Sequence, residues 1–326
     1  MLRHPFFLSA LFCTALGACA QTGTLKALPQ WKAGDRRQVK VERNIRLTLD
    51  SATYQLTSSS TWAVEVEEVR KSGSTLVVRT LATDQLEADS RLRELLGGVA
   101  QDPARHFKDV VAQSLYQRLE GLPTRFDVTA EGAYAGPVDP VQAVERLRPA
   151  MAKLIPGMMA DIARYRDREP DALTASNIDY LTDSLYNVLT APQAQELVHL
   201  MRIHDLSFPL TGSQRVQLPL KNVQAPWGPI YTELPATVET GLDQLEEKRA
   251  VTRRVLRYLP EAWSAALAPA RWNEGVKPET MSWTLECVEE FDRKSGWSTV
   301  STSESDLRCG STRIMETVTT TVENLY

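Results

Sequence analysis

Histidine and cysteine are scarce in this chain, and none of them stands at a spacing that metals or nucleophiles favour. Of 326 residues, 4 are His and 4 are Cys. No Cys-x-x-Cys occurs, which removes the zinc-ribbon and thioredoxin-like readings. His199 and His204 are too far apart in sequence for the i, i+4 pair of a helical metalloprotease motif, so on one helix they would point to different faces. There is no Gly-x-Ser-x-Gly elbow and no Ser-x-x-Lys. Walker and Gly-x-Gly-x-x-Gly loops are missing too; "LLGGVAQDP" lacks the lysine of a phosphate loop and reads as a helix break. No alternating Asp/Asn calcium loop is found. These absences point away from an enzyme and call for no cofactor and no metal. Charge of one sign is also lacking: the formal net charge is -4. The basic clusters "RNIR" and "KRAVTRRVLR" are short and read as solvated strand faces, so no nucleic-acid partner is expected.

Long hydrophobic runs are missing except at the N-terminus. Arg3 is followed by "FFLSALFCTAL", an apolar core too short to span a bilayer. Residues 1–20 therefore read as an export signal and residues 21–35 as a leader. Two cuts compete. "LGAC" resembles the bacterial lipobox, whose Cys, here Cys19, is diacylated and becomes the mature N-terminus. Alternatively Ala18-Cys19-Ala20 is a small-x-small site with cleavage before Gln21. The first anchors the protein to a membrane through an N-terminal lipid; the second releases it. Either way the chain is expected outside the cytoplasm: lipid-anchored in the cell envelope (periplasm or outer membrane) or secreted.

Export leaves two cysteines, Cys287 and Cys309, in an oxidising compartment, and a disulfide between them is expected. It would close a loop of about 21 intervening residues and add on the order of 3 kcal/mol. A hairpin turning at "RKSG" speaks against it, because residue 287 would then face about residue 303.

What the chain does have is periodicity. Val39, Val41, Ile45, Leu47 and Leu49 share one parity and polar residues the other, the mark of a strand with one buried face. A second and third strand follow, through Trp62 and "TLVVRTLA". Helical spacing then takes over. "DPARHFKDVVAQSLYQRLEGLP" and "DPVQAVERLRPAMAKLIPG" each open on an Asp-Pro cap, with Pro149 predicting a kink or early stop in the second. "TRFDVTAEGAY" between them is a short strand. "NIDYLTDSLYNVL" and "PQAQELVHLMRI" add helical stretches. Strand signals return at "RVQLPLKNV". "EEKR" is read as a hairpin turn, "PEAWSAALAPARW" as a short helix, and the Thr- and Val-rich end from Met281 as three strands. The expected fold is α+β, a single domain over 36–326 with strands at 36–84, helices at 86–204 and strands at 206–325. It forms a large twisted antiparallel meander with an inserted helical layer covering one face. "WAVEVEEVRKSGS" and "WTLECVEEFDRKSG" look alike; two hairpins converging on a good turn explain this more simply than a duplication.

The carboxylates Glu65, Glu67, Glu68, Glu286, Glu289 and Glu290 are read as solvated strand positions, and Asp179 with Asp183 as a helical pair able to touch a cation. The chain carries 7 Trp and 7 Met. Most should be core, but Trp62, Trp283, Met151, Met158 and Met201 are candidates for lining a groove between sheet and helices.

The order of exported N-terminus, meander, inserted helices and further meander resembles exported bacterial lipoproteins. In architecture it is similar to the clamshell carriers of the lipoprotein-localisation-factor type. That resemblance implies a curved sheet closed by helices around acyl chains. It rests on no motif beyond "LGAC", so it carries no site residues over. Three functions follow. The first is a non-enzymatic cell-envelope protein with a structural or partner-binding role. The second is a carrier of an apolar or amphipathic, lipid-like ligand. The third is a hydrolase without a recognisable motif, which needs His106, His199 or His204 gathered with carboxylates.

Overall fold

The computed structural model describes residues 23–49, 52–83, 87–88, 121–165, 175–220, 223–225, 228–230, 234–259, 281–309 and 311–325. The expected signal with Cys19, the helix opening at Asp102 and the helix at "PEAWSAALAPARW" lie outside the described residues.

Alternation builds the sheet. Strands β1 (Thr24–Lys26), β2 (Arg36–Leu49), β3 (Ala52–Arg70), β4 (Gly73–Thr83), β5 (Glu87–Ala88), β6 (Thr124–Thr129) and β7 (Tyr134–Pro137) precede the helices. Helices α1 (Pro140–Tyr165) and α2 (Ala175–Met201) follow, with a 3-10 turn at Arg202–Asp205. Then come β8 (Ser207–Pro209), β9 (Ser213–Leu220), β10 (Val223–Ala225), β11 (Gly228–Ile230), β12 (Leu234–Leu245), β13 (Arg249–Tyr258), β14 (Met281–Asp292), β15 (Ser298–Cys309) and β16 (Thr312–Asn324). The expected α+β class and its large antiparallel meander are present, and the span expected to be helical also carries β5, β6 and β7.

One 12-stranded sheet runs in the order β7-β6-β4-β3-β2-β16-β15-β14-β13-β12-β9, with β5 beside β3. Its two meanders, one from each end of the chain, are joined where β2 pairs with β16, Val39 opposite Val322 and Leu47 opposite Ile314. The hairpin expected at "EEKR" forms between β12 and β13. One face is solvated and laced by cross-strand ion pairs such as Arg253–Glu286 at 3.4 Å. Exposed pairs of this kind contribute little, so they set register and solubility more than stability.

The inner face holds the core. Trp62, Val64, Val39, Val322, Leu76 and Phe126 pack there against Leu197, Leu200 and Met201 of α2. Buried Gln193 pins the helix to the sheet, its Nε2 donating to Thr80 Oγ1 at 3.2 Å while Thr124 Oγ1 donates to its Oε1. Helix α1 starts as the sequence predicts, with Asp139 Oδ1 accepting from the Gln142 amide at 3.1 Å. Pro149 does not stop it: the helix runs through both Pro149 and Pro156. The stripe Leu147, Met151, Ile155 and Met158 buries against Tyr186 of α2. Several such side chains at roughly 1.5–3 kcal/mol each outweigh the cost of the prolines. The expected helical stretches "NIDYLTDSLYNVL" and "PQAQELVHLMRI" fall in one helix, α2, with its end in the 3-10 turn.

The two "RKSG" turns differ in build. In the first, Gly73 pairs with Arg70 and starts β4. Its φ is 145°, and a Cβ would come 2.0 Å from the Val128 carbonyl oxygen. In the second, Gly296 (φ 76°) sits inside a longer loop, its amide donating to Asp292 O at 2.7 Å. The same letters thus close turns of different build. Among the described residues no helix is long and apolar enough to cross a membrane.

Candidate functional site

The inner face is banded. Beyond the core around Trp62, two polar rows cross the sheet. Ser60, Val41, Thr320, Ser301, Glu289 and Thr252 are successive register partners in one row. Ser58, Arg43, Val318, Ser303, Cys287, Arg254 and Thr240 are partners in the next. Four positions further along the strands, beyond a mixed row that holds Glu316 and Ser305 among apolar residues, the character has reversed. Tyr54, Leu47, Ile314, Leu307, Trp283, Tyr258 and Ala236 form an unbroken apolar row. Seven strands at about 4.8 Å make this row roughly 29 Å wide. Tyr54, Leu47 and Ile314, with Leu56 and Ile45 beside them, are only half-buried. Leu307, Trp283 and Tyr258 are buried, and Trp283 stacks on Tyr258 at 4.3 Å while its Nε1 donates to Ser305 Oγ at 2.6 Å.

The polar rows carry buried charge. Arg43 Nη2 stands 3.3 Å from Glu196 Oε1 of α2, and its Nε 3.1 Å from Glu316 Oε1 of β16. The second contact is close enough for an ion pair but not aligned for a hydrogen bond, so Arg43 Nε lacks one. Burial raises both carboxyls against the pull of Arg43. At the other end of the row Arg254 is 5% exposed and its Nε has no hydrogen-bond partner. Glu289, also 5% exposed, is the neighbouring acid one position diagonal on β14. Burial pushes it up to about 7, opposed by Arg254, a hydrogen bond from Ser298 and Arg202. His199 of α2 looks down on the belt and keeps some exposure. Desolvation lowers it to about 3, helped by Arg202, Arg254 and Arg43. It is thus a neutral imidazole between guanidinium groups, unsuited to general-acid work near neutral pH. At the rim, an open cleft of about 370 Å³ is lined by Arg37, Trp297, Ser298 and Asn324 among others, with the Arg37 guanidinium 5.3 Å over the Trp297 ring.

The candidate lining residues do not gather in one place. Trp62 and Met201 share the sheet core, and Met151 and Met158 belong to the core between the helices. Trp283 alone lies in the apolar row. His204 is buried, its Nδ1 2.8 Å from Ala27 O, and supports the N-terminal segment. Asp179 pairs with Arg148. His106 and Cys19 lie outside the described residues. Among the described residues no group of three His, Cys, Asp or Glu could hold a metal ion.

The expected disulfide is overturned by register. Cys287 faces Ser303, while Cys309 faces Met281. Six residues along a strand separate them by about 20 Å, and a bridge needs Cα atoms within about 7 Å. Cys287 is a free, buried thiol 3.5 Å from Ser301 Oγ.

The reading of "RNIR" and "KRAVTRRVLR" as wholly solvated is corrected at one residue each, Arg43 and Arg254, and that of the carboxylates at Glu289. Parity is the signal that finds them. Arg43 interrupts the series Val39, Val41, Ile45, Leu47. Glu289 interrupts Trp283, Leu285, Cys287, Phe291, and Arg254 shares the parity of Leu256 and Tyr258. A charge inside an apolar series of one parity belongs to the buried face.

No protein-family model and no curated protein matches this chain. Among solved structures it is similar to lipovitellin, from a study of lipid–protein interactions in that protein. The identity is 9%, covering 90% of this chain and 26% of that one, with a TM-score of 0.43. The chain thus spans 26% of the lipovitellin chain's length. It is also similar to an outer membrane channel from Pseudomonas putida F1, at 7% identity over 91% of this chain and 98% of that one, with a TM-score of 0.16.

Proposed function

We propose that this chain is a non-enzymatic protein of the bacterial cell envelope that holds an apolar chain of a lipid-like ligand against the inner face of its sheet. The observation that carries the reading is the half-exposed end of the apolar row, at Tyr54, Leu47 and Ile314. A soluble sheet has no need to leave Leu47, Ile314, Leu56 and Ile45 side by side and half-exposed, and contiguous apolar surface of this kind marks a binding site. The envelope location rests on the signal-like N-terminus and the lipobox-like "LGAC", with Cys19 as the lipid-bearing residue.

A second reading, a structural or partner-binding role, is favoured by a different observation. Where α2 meets the sheet, Leu197, Leu200 and Met201 pack directly on the core of Trp62 and Val64. On this reading the half-exposed row meets another protein.

A native mass spectrum of the full-length protein, gently extracted from its envelope, separates the two. A co-purifying mass of lipid size, lost on activation, supports the ligand-holding reading. A bare protein mass overturns it and leaves the partner reading. The same spectrum tells a diacylated Cys19 from a chain starting at Gln21.

A further inference from the structure

The sheet forks at the end where β2 begins and β16 stops. Pairing of β15 with β16 ends at Val300 and Thr321. Past that point β16 continues along β2 alone, to Asn324 opposite Arg37. The start of β15 is paired with β14 alone, Ser298 opposite Phe291. The two prongs face each other with no strand between them, and open strand edges carry backbone donors and acceptors without a ladder partner. The open cleft of about 370 Å³ lies in this fork, lined by Ser298 and Thr299 from one prong and by Val322, Glu323 and Asn324 from the other. Buried Trp297, stacked on Trp31 at 4.6 Å, is its apolar base.

Unlike the charges of the inner face, those of the fork are open. Arg37 is half-buried, with its guanidinium over the Trp297 ring and its Nη1 donating to Arg36 O at 2.9 Å. Its Nε and Nη2 have no protein acceptor and are not buried, and no acid pairs with it among the described residues. Glu323 is exposed and has no ion pair among the described residues either. Asp292 is half-buried. Burial raises its carboxyl, but hydrogen bonds from Ser295 and the Lys294 amide outweigh that and hold it below the ordinary range. The cleft therefore presents a guanidinium without an acid and two ionised carboxylates, alongside the Thr299 hydroxyl and the Asn324 amide.

We infer that the fork between β15 and β16 binds a small zwitterion of the amino-acid kind, its carboxylate on Arg37 and its ammonium on Glu323 and Asp292. A simple anion drawn to Arg37 would meet two carboxylates, and a simple cation drawn to the carboxylates would meet Arg37. A ligand that carries both signs meets a partner at each end. The volume is at the small end of ligand pockets, which suits an amino acid better than a peptide or a lipid. Arg37 and Leu47 are about 33 Å apart along β2. The site is thus separate from the half-exposed apolar row and stands independently of the ligand-holding reading.

An NMR titration of the full chain tests this with four probes. Glycine and γ-aminobutyrate carry both charges at two spacings, acetate carries the anion alone and ethylamine the cation alone. The expected result is a saturable shift of the Trp297 indole signal and of the Ser298, Thr299 and Asn324 amides with at least one zwitterion. Its affinity should exceed those of acetate and ethylamine by roughly 10-fold or more, the worth of one further charge-assisted hydrogen bond. Arg37→Gln and Glu323→Gln should each weaken that zwitterion by a similar factor, and Arg37→Lys should keep part of the binding. Glu323 has no ion pair to lose, so in Glu323→Gln the signals away from the fork should stay in place, which shows that this variant is folded. Acetate binding as tightly as the zwitterions makes the fork an anion site, and ethylamine doing so makes it a cation site; either overturns the inference. Shifts that persist unchanged in both Gln variants put the binding elsewhere and overturn it as well. So does the absence of a saturable shift with every probe. None of these outcomes bears on the apolar row, whose test is the native mass spectrum.

Discussion

Arg43 of β2 joins helix to sheet: one guanidinium stands 3.3 Å from Glu196 of α2 and 3.1 Å from Glu316 of β16. Both carboxyls sit above the ordinary range because burial raises them more than Arg43 lowers them. Removing the cation leaves two acids with nothing to offset their desolvation. Arg43→Met should therefore cost about 2–3 kcal/mol near neutral pH, below the range for fully buried pairs because Arg43 is partly exposed. Raised acids lose their stabilising, protonated form as pH rises, so the deficit should shrink on acidification. Urea titrations near pH 7 and near pH 5 check this; an equal deficit at both counts against an electrostatic origin.

Glu289 and Arg254 predict a second pH effect. The Glu289 carboxyl is raised from 4.5 to about 7, chiefly by burial. A raised acid contributes its stability in full below the unfolded value and loses it as pH climbs through the folded one. Between pH 4.5 and about 7 this group should remove on the order of 3 kcal/mol. Glu289→Gln should lack that loss. Denaturation midpoints across the window decide it, and parallel decline of the two proteins would refute the assignment.

His199 acts in the opposite sense. Its imidazole falls from 6.5 to about 3, desolvation first and the neighbouring arginines after. A depressed base contributes stability above the unfolded value and loses it as pH falls toward the folded one. Acidification from about 6.5 should destabilise the protein through this ring, and His199→Gln should flatten that limb. Between pH 4.5 and 6.5 the two groups oppose one another. Their slopes nearly cancel in the unaltered protein, so it and the double variant should be about equally flat there, while Glu289→Gln alone should gain stability with rising pH and His199→Gln alone should lose it. An NMR titration in which the His199 ring charges near pH 6 would contradict this.

Cys287 should behave as an isolated thiol. Iodoacetamide should modify it only after denaturation, and a reducing agent should leave the melting temperature unchanged. A drop on reduction would mean that the register between β14 and β15 is not the one described.

These residues also show what was legible beforehand. The parity of Val39, Val41, Ile45 and Leu47 was enough to find β2 and its buried face, because alternation is a local property. The pairing of β2 with β16 was not, since nothing local tells the first strand of a meander that its other edge waits nearly 300 residues away. The polar belt was half-legible. Arg43 and Glu289 break apolar series of one parity, but a basic cluster read as a unit hides the single member that turns inward. The meeting of Arg254, Glu289 and His199 depends on the seating of α2 over the sheet, a tertiary fact. Pro149 shows the converse: the early stop it could impose does not occur, because the helix continues to pack Met151 and Ile155 against Tyr186.

Met151 and Met201, two of the five candidate groove residues, lie in different cores. Met151 is fully buried between α1 and α2, and Met201 is 1% exposed in the core shared by α2 and the sheet. Truncating either to Ala should cost about 2–4 kcal/mol, the range for buried methionines. What opens should differ. The helix pair has its own small core, and α2 is tied to the sheet through Gln193, Leu197 and Leu200. Met151→Ala should raise amide exchange in α1 and the first half of α2 while β2, β3 and β16 stay protected. Met201→Ala should raise exchange in the second half of α2 and in the strands beneath it. If both variants loosen the whole chain alike, helices and sheet open as one unit, and a ligand of the proposed kind would have to enter by global unfolding or from the half-exposed end at Leu47 and Ile314. If only Met201→Ala frees the strands, the joint between α2 and the sheet is the hinge on which the inner face opens.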